Sequence, residues 1–360
     1  MSVDPLESTV ADILDEGWSW DAQQRAESEG WSSDCWELLA KAEMPWVGVS
    51  EARGGAGGTM ADATKVVRQV GRYAAPVPVA ETGLVGGGFA ASLGIEVPRG
   101  IVSVAVPSRD DALRLDSSGN VTGVLHRVPW GRHASAVVAI ADVESGHRVV
   151  LLDPAAGQIE ERDNIAGEPR DRLTFDNIGV PSENIADCPD EIADDLMLRG
   201  AISRIALMAG ASRAVARMAV KYTQERQQFG RAVGNFQAVS TRLAALVEES
   251  EAAYLASRIL TSRLANETHG TELRNYEFEI AAAKAATSRS AAEVSKQGHQ
   301  VHGAIGMTRE YPLHRFNRRL WVWAHEYGSE RYWNKHLGWT LLANGVDNLW
   351  PTVAAGRYTS

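Results

Sequence analysis

Four long stretches in the second half of the chain constrain its fold more than any other feature. They are ISRIALMAGASRAVARMAVKYTQERQQF (202–229), NFQAVSTRLAALVEESEAAYLASRILTSRLAN (235–266), YEFEIAAAKAATSRSAAEVSKQGHQVHG (276–303) and HRFNRRLWVWAHEYGSERYWNKHLGWTLL (314–342). Each places small and apolar residues at i, i+3, i+4 spacing. A helix that long with one apolar stripe must bury the stripe against similar neighbours, and the breaks between the runs are short. The pattern predicts an antiparallel four-helix bundle over 191–345, followed by a tail over 346–360.

The sequence ahead of the bundle has a different period. Residues 1–98 read as an N-terminal helical domain, with periodic apolar positions in STVADILDEGW, CWELLAKAEM and ADATKVVRQVGRYAAP. The loop VSEARGGAGGTMAD between them is punctuated by Gly54, Gly55, Gly57 and Gly58. No GK[ST] follows it and no GxGxxG opens a βαβ unit, so it does not read as a phosphate loop. Residues 99–190 carry short β-branched runs, IVSVAVPS, SAVVAIADV and HRVVLLD, bounded by turn sequences such as DSSGN and DPAAG. They predict a small antiparallel β domain. The fold class is therefore α+β, mainly α: an N-terminal helical domain, a middle small antiparallel β domain and a C-terminal antiparallel four-helix bundle.

Composition narrows the function classes. With 360 residues the chain is too long for one simple core. A net charge of −10 argues against a general nucleic-acid binder, though it permits a local basic pocket for a phosphorylated ligand. Cys35 and Cys188 are far apart and form no metal-binding pattern, which reads as two free thiols in a reducing cytosol. The acidic N-terminus MSVDPLESTVADILDEG lacks the apolar run of a signal peptide, and no apolar stretch is long enough to span a membrane. A cytoplasmic protein is expected. His299 and His302 stand i, i+3 on a helix end, too few ligands for a metal, and read as packing or capping residues. Four of the eleven tryptophans, Trp321, Trp323, Trp333 and Trp339, crowd one C-terminal stretch, which suggests a subunit interface.

The connection between the first two long runs is unusual. ERQQFGRAVGNFQAV (225–239) places Arg226 before an aromatic-glycine break and Gln237 after it. This Arg-x-x-Phe-Gly…Phe-Gln pattern resembles the acyl-CoA dehydrogenase family. So does QVHGAIGMTREYPLHR (300–315), which is similar to that family's Gln-x-x-Gly-Gly…Glu-[Tyr/Phe]-Pro signature. MPWVGVSEARGGAGG (44–58) looks like the family's N-terminal turn, and TFDNIGVPSENI (174–185) like the end of its β domain. The resemblance covers almost the whole chain in the right order. It implies an FAD-dependent acyl-CoA dehydrogenase, an oxidoreductase of lipid metabolism. FAD would sit between the β domain and the bundle, with its pyrophosphate and adenosine reaching a neighbouring subunit. Arg226 would pair with the pyrophosphate, for which a planar guanidinium is well suited. Gln228 and Phe229 would line the dinucleotide, and Gln237 and Gln300 would hydrogen-bond further along it. Gly303 and Ala304 would let backbone approach closely. The resemblance also implies Ser329 on the cofactor side and Arg204 on the substrate side.

The chain departs from the family at the catalytic base. The reaction removes an α-proton from the acyl-CoA while the β-hydride leaves to the flavin, so it needs a carboxylate at one of two places. At the first, Ser203 precedes Arg204. At the second, Tyr327 stands before Gly328-Ser329 and Glu326 is one residue early. Tyrosine, with a pKa of about 10, is a poor base for this step, and one residue turns a helical side chain by about 100°. The neighbourhood that meets the flavin ring in the family is matched here only by RVPWGRHASA, around Val128 or Trp130. These departures suggest a subunit of an α2β2 heterotetramer, of the actinobacterial kind that acts on steroid-type CoA thioesters, which contributes FAD contacts to a partner subunit carrying the glutamate. The alternatives are a self-sufficient homotetramer using Glu326, or a non-catalytic relative that binds acyl-CoA. The expected partners are the thioester, a second dehydrogenase subunit or a copy of the chain, and an electron-transfer flavoprotein, with no nucleic acid and no membrane.

Overall fold

The computed structural model describes residues 4–106, 111–266, 273–343 and 345–355. The last five residues of the expected tail and the first three of the N-terminal domain lie outside the described residues. The chain divides into two compact units. One takes Met1–Val67, Ala75–Ser203 and Leu264–Leu273, and the other Arg68–Ala74, Arg204–Arg263 and Arg274–Ser360.

The first unit begins with helices α1 (Pro5–Gly17), α2 (Trp20–Glu29), α3 (Ser33–Lys41) and the start of α4 (Met60–Tyr73). Their N-termini are capped by the residues that such ends favour. Asp4 Oδ1 accepts from the Leu6 and Glu7 amides, at 3.0 and 3.4 Å, with Pro5 behind it. Ser19 and Ser32 accept from Ala22 and Cys35. Thr59 and Asp62 cap each other reciprocally ahead of α4. The glycine loop is a packing device: a Cβ on Gly54 would lie 2.4 Å from Val97 O. A π-helical turn, Ala80–Val85, leads into α5 (Gly86–Ser92).

The β domain follows as β1 (Val102–Val104), β2 (Ala112–Leu115), β3 (Asn120–Pro129), β4 (Ala136–Asp142), β5 (His147–Leu152), β6 (Gln158–Glu160), β7 (Arg170–Gly179) and β8 (Ile185–Cys188). The sheet order is β6-β7-β3-β2-β4-β5-β8, with β1 on β4. Pairing is antiparallel except where β4 meets β1 and β2. The β3–β7 ladder carries two register shifts. Alternate residues close the core, among them Val121, Leu125, Val137, Val150, Leu173 and Phe175, all at most 2% exposed. Val128 and Trp130 are buried in this unit too. The loop after β3 is held by Arg132, whose guanidinium binds the fully buried Asp171 as well as Glu161 and Asp163.

The second unit is the bundle. Helix α6 (Asp190–Glu225) is followed by a two-residue hairpin joining β9 (Gln227–Gln228) to β10 (Arg231–Ala232), then α7 (Gln237–Arg263) and α8 (Glu277–His302). Antiparallel packing is visible in the pairs that cross it. Arg242 meets Gln297 at 3.0 Å near one end of α7 and α8, and Arg263 meets Glu279 at 3.2 Å near the other. Arg213 and Glu251 bridge α6 to α7. The end of α4 lies against α6 so closely that a Cβ on Gly71 would meet Leu207 O at 2.2 Å and one on Gly210 would meet Arg68 O at 2.0 Å. The fourth expected run is two helices, α9 (Leu313–His325) and α10 (Glu330–Ala343), with a short α11 (Leu349–Ala355) after them. The break falls at Tyr327 and Gly328, whose φ values are +52° and +90°. No α-helix continues through left-handed residues. The tryptophans of this stretch divide: Trp323 and Trp333 are buried, while Trp321 and Trp339 are exposed. Among the described residues, no helix is long and apolar enough to cross a membrane.

Candidate functional site

The residues singled out in the sequence fall at two places in the second unit. The first surrounds the turn between α9 and α10. Glu326 caps α9, and its amide donates to Val322 O at 3.1 Å. Gly328 is obligatory here, because its φ is left-handed and a Cβ would lie 2.4 Å from Trp333 Nε1. That indole N–H donates to Tyr327 O at 2.9 Å and pins the turn from the α10 side. Ser329 caps α10, its Oγ accepting from the Tyr332 amide at 3.3 Å.

Arg204, 1% exposed on α6, reaches into this turn. Its Nε donates to Glu326 Oε2 at 2.7 Å, and its guanidinium lies 4.8 Å over the Tyr327 ring. The pair is charge-assisted and short, in the range of strong hydrogen bonds. The carboxylate that sequence offers as a base is therefore engaged with a buried cation. Ser203 gives no substitute, since its Oγ donates to Gly200 O at 2.7 Å along its own helix. Arg204, expected on the substrate side, and Glu326, the candidate base, are thus in direct contact. The sequence reading missed their neighbour Lys284, fully buried on α8, with Nζ within 3.1 Å of Ser288 Oγ, Ala324 O and Gly328 O. Burial and then Arg204 push its ammonium down to about 7, while Glu326 pulls the other way. The available signal was a lysine on the alanine face of α8, in IAAAKAATS, where a solvated charge would be out of place.

The second place is the opposite end of the bundle. Arg226 follows the last residue of α6, and its backbone closes the hairpin by accepting from Val233 N at 2.8 Å. Phe229 and Gly230 form the two-residue turn with φ of +51° and +80°, the combination a tight hairpin demands. Phe229 is 92% exposed and meets Phe236 edge-on at 6.1 Å. Gln228, Gln237, Gln300, Gly303 and Ala304 are all exposed as well. The ends of α6 and α8 are brought together by His302, which stacks on Tyr222 at 4.7 Å. Its Nδ1 lies 2.7 Å from Gly298 O, so it must donate there, which leaves Nε2 to accept from the Tyr311 hydroxyl at 3.2 Å. Burial lowers the His302 pKa, in keeping with that neutral tautomer. Gly303 follows with φ +64° and open space where a Cβ would stand. Arg226, Gln228, Phe229, Gln237, Gln300, Gly303 and Ala304 thus share one solvent-facing end. Arg226 lies 22 positions after Arg204 along α6 and its end, about 33 Å of helical rise, so Ser329 and the Glu326 turn are remote from this end within one chain.

In sequence and fold the chain is similar to acyl-CoA dehydrogenases. Residues 191–330 match the family model described as acyl-CoA dehydrogenase, C-terminal domain. The acyl-CoA dehydrogenase IpdE2 of Mycobacterium tuberculosis is 28% identical over 307 residues, 82% of each chain. The glutaryl-CoA dehydrogenase of Desulfococcus multivorans is 32% identical over 155 residues, which are 42% of this chain and 38% of that one. Among solved structures, the ChsE4–ChsE5 complex of Mycobacterium tuberculosis superposes with a TM-score of 0.85 at 20% identity, over 95% of this chain and 98% of that one. The Tcur3481–Tcur3483 steroid ACAD gives 0.79 at 22% identity, over 95% and 98%. At these identities the superpositions bear on the fold.

Proposed function

Because the chain belongs to the acyl-CoA dehydrogenase family, whose members are FAD-dependent oxidoreductases, we propose that it is one subunit of a heteromeric acyl-CoA dehydrogenase and that a second subunit supplies the catalytic carboxylate. The observation that carries this reading is the state of Glu326. A general base must be free to take a proton in the transition state, and here the carboxylate holds a buried guanidinium at 2.7 Å. The other family position is a serine whose hydroxyl turns back on its own helix.

The cofactor residues support the same division of labour. FAD, when bound, accepts the hydride from the β-carbon. Arg226, Gln228, Phe229, Gln237, Gln300, Gly303 and Ala304 fit a dinucleotide laid across the bundle end from outside. They are exposed, they include a guanidinium for the pyrophosphate, and Gly303 leaves room for close approach. Their distance from the Glu326 turn favours a dinucleotide whose reacting ring belongs to a neighbouring chain. Ser329 and Arg204 would then serve the ring and substrate end. We assign the substrate as an acyl-CoA thioester with a bulky, steroid-type acyl group, the electron acceptor as an electron-transfer flavoprotein, and the location as the cytoplasm. The named complex ChsE4–ChsE5 and the steroid ACAD lend support as relatives in fold.

The competing reading is a homotetramer that uses Glu326 itself, favoured by the side chain's partial exposure, 21%, at the turn. Two preparations separate them. The chain purified alone, and the chain co-expressed with a dehydrogenase subunit carrying the family glutamate, are compared for flavin content and for reduction of a ferricenium acceptor with acyl-CoA. Flavin and turnover only in the co-expressed sample are expected. One FAD per chain and full turnover in the chain alone would overturn the heteromeric assignment.

A further inference from the structure

The turn that carries Glu326 and Tyr327 hangs on a side chain from another helix. Lys284 Nζ donates to Gly328 O at 2.9 Å, to Ser288 Oγ at 3.0 Å and to Ala324 O at 3.1 Å. The Ser288 hydroxyl donates in turn to Ala324 O at 3.2 Å. The protons of this network close without remainder. An ammonium has three N–H groups for three acceptors, the serine proton goes to the Ala324 carbonyl, and that carbonyl uses its two lone pairs on two donors. A neutral amine, with two N–H groups, would leave a buried acceptor unmet, which costs roughly 1–3 kcal/mol. Burial and Arg204 act against the ammonium, and Glu326 acts for it. Below about pH 7 the ammonium persists against burial because its three acceptors are matched to its three donors.

The two carbonyls stand on either side of the catalytic-base position. Ala324 O belongs to the last turn of α9, where carbonyls have no intrahelical donor, and Gly328 O lies just past Tyr327. We infer that Lys284 is a positioning residue: by tying Ala324 O and Gly328 O to α8 it sets where Glu326 and Tyr327 project toward the acyl thioester. This deepens the reading above, which supplies only what the turn faces; the three-bond staple stands on its own geometry. Trp333 pins the turn through Tyr327 O, so Lys284 and Trp333 together hold three of its carbonyls.

Hydrogen–deuterium exchange on the purified full chain tests this. Lys284→Met, close in size and without donors, is expected to speed exchange of the amides at 325–329 tenfold or more while those of α7 and α8 stay within about twofold. Lys284→Arg keeps the charge and the donors and is expected to retain the protection. Ser288→Ala removes one acceptor and one donor and is expected to give a smaller rise at the same amides. It carries the test if the methionine variant does not fold. Unchanged exchange at 325–329 in the methionine variant, or in Ser288→Ala where that variant stands in, overturns the assignment. So does equal loss of protection in the methionine and arginine variants, or loss spread evenly over α7 and α8. Neither flavin nor substrate enters the readout, so this inference and the dehydrogenase reading fail separately.

Discussion

The two ends of the bundle spend their polar residues differently. At the Arg204 end the cations are buried and partnered: Arg204 with the half-buried Glu326, and Lys284 with two carbonyls and a serine. At the Arg226 end the polar groups are exposed, and they are braced by the buried His302 ring and the half-buried rings of Tyr222 and Tyr311. A buried charge is expensive unless paired, so residues at the first end cannot change one at a time without a large stability cost. Residues at the second end are placed by backbone and rings, and their side chains remain available to a ligand. Stability should therefore be lost at the first end, and cofactor binding at the second.

The sharpest break in that contrast is Glu326→Leu. It removes the carboxylate that the Arg204 guanidinium, 1% exposed, holds at 2.7 Å, and takes away the group that favours the Lys284 ammonium. About 3–5 kcal/mol of stability should be lost, measured by denaturant unfolding; a loss below about 1 kcal/mol would show that the pair is solvated. Glu326→Gln keeps an acceptor for Arg204 and should cost much less. It should leave turnover of a heteromeric complex nearly intact and abolish that of a homomeric enzyme.

Gly328→Ala comes next. The residue's φ of +90° and the 2.4 Å approach of Trp333 Nε1 to a would-be Cβ require the turn to shift. A cost of about 1–3 kcal/mol is expected, and the Trp333–Tyr327 hydrogen bond should be lost with it, visible as a shift of one indole N–H resonance.

The pH dependence of the buried end sharpens the comparison further. Lys284 has a folded pKa of about 7 against 10.5 for the free side chain. Between those values the unfolded chain binds more protons than the folded one, so stability rises with pH across that window, and the penalty for burying the charge is present in full below about 7. The slope is on the order of 1 kcal/mol per pH unit at most. In Lys284→Met this rise should vanish. Unfolding curves of the two proteins at pH 6, 8 and 9.5 that keep a constant difference would refute the assignment.

The smallest expected stability effect is at the exposed end. Arg226→Ala should change stability by about 0.5 kcal/mol or less, as an exposed substitution does, yet the complex should retain less FAD. Unchanged flavin content would remove Arg226 from the cofactor site.

The sequence was informative wherever a local pattern carries the physics. Apolar spacing reported α6, α7 and α8 because a long helix must bury one stripe, and short β-branched runs between turn sequences reported the β domain. The residues proposed for the cofactor arm were legible as a motif because backbone turns place them: Phe229 and Gly230 make the hairpin whatever lies around it. The last run shows the limit of such reasoning. Its apolar spacing continues through WAHEYGSERYW, and only the left-handed Tyr327 and Gly328, with Trp333 packed over them, divide it into α9 and α10. Lys284 was hidden for a different reason. Its acceptors Ala324 O and Gly328 O are backbone atoms 40 and 44 positions away, and backbone carbonyls leave no trace in residue identity. Glu326 was visible as a carboxylate one place from the expected position, but its commitment to Arg204, 122 residues earlier, was not. The sequence alone determined the long helices α6, α7 and α8 and the β character of the middle domain, since those follow from residue pattern along one segment. Which charges neutralise one another was decided by tertiary structure, because electrostatic and hydrogen-bond energies depend on distances between segments that no local pattern encodes.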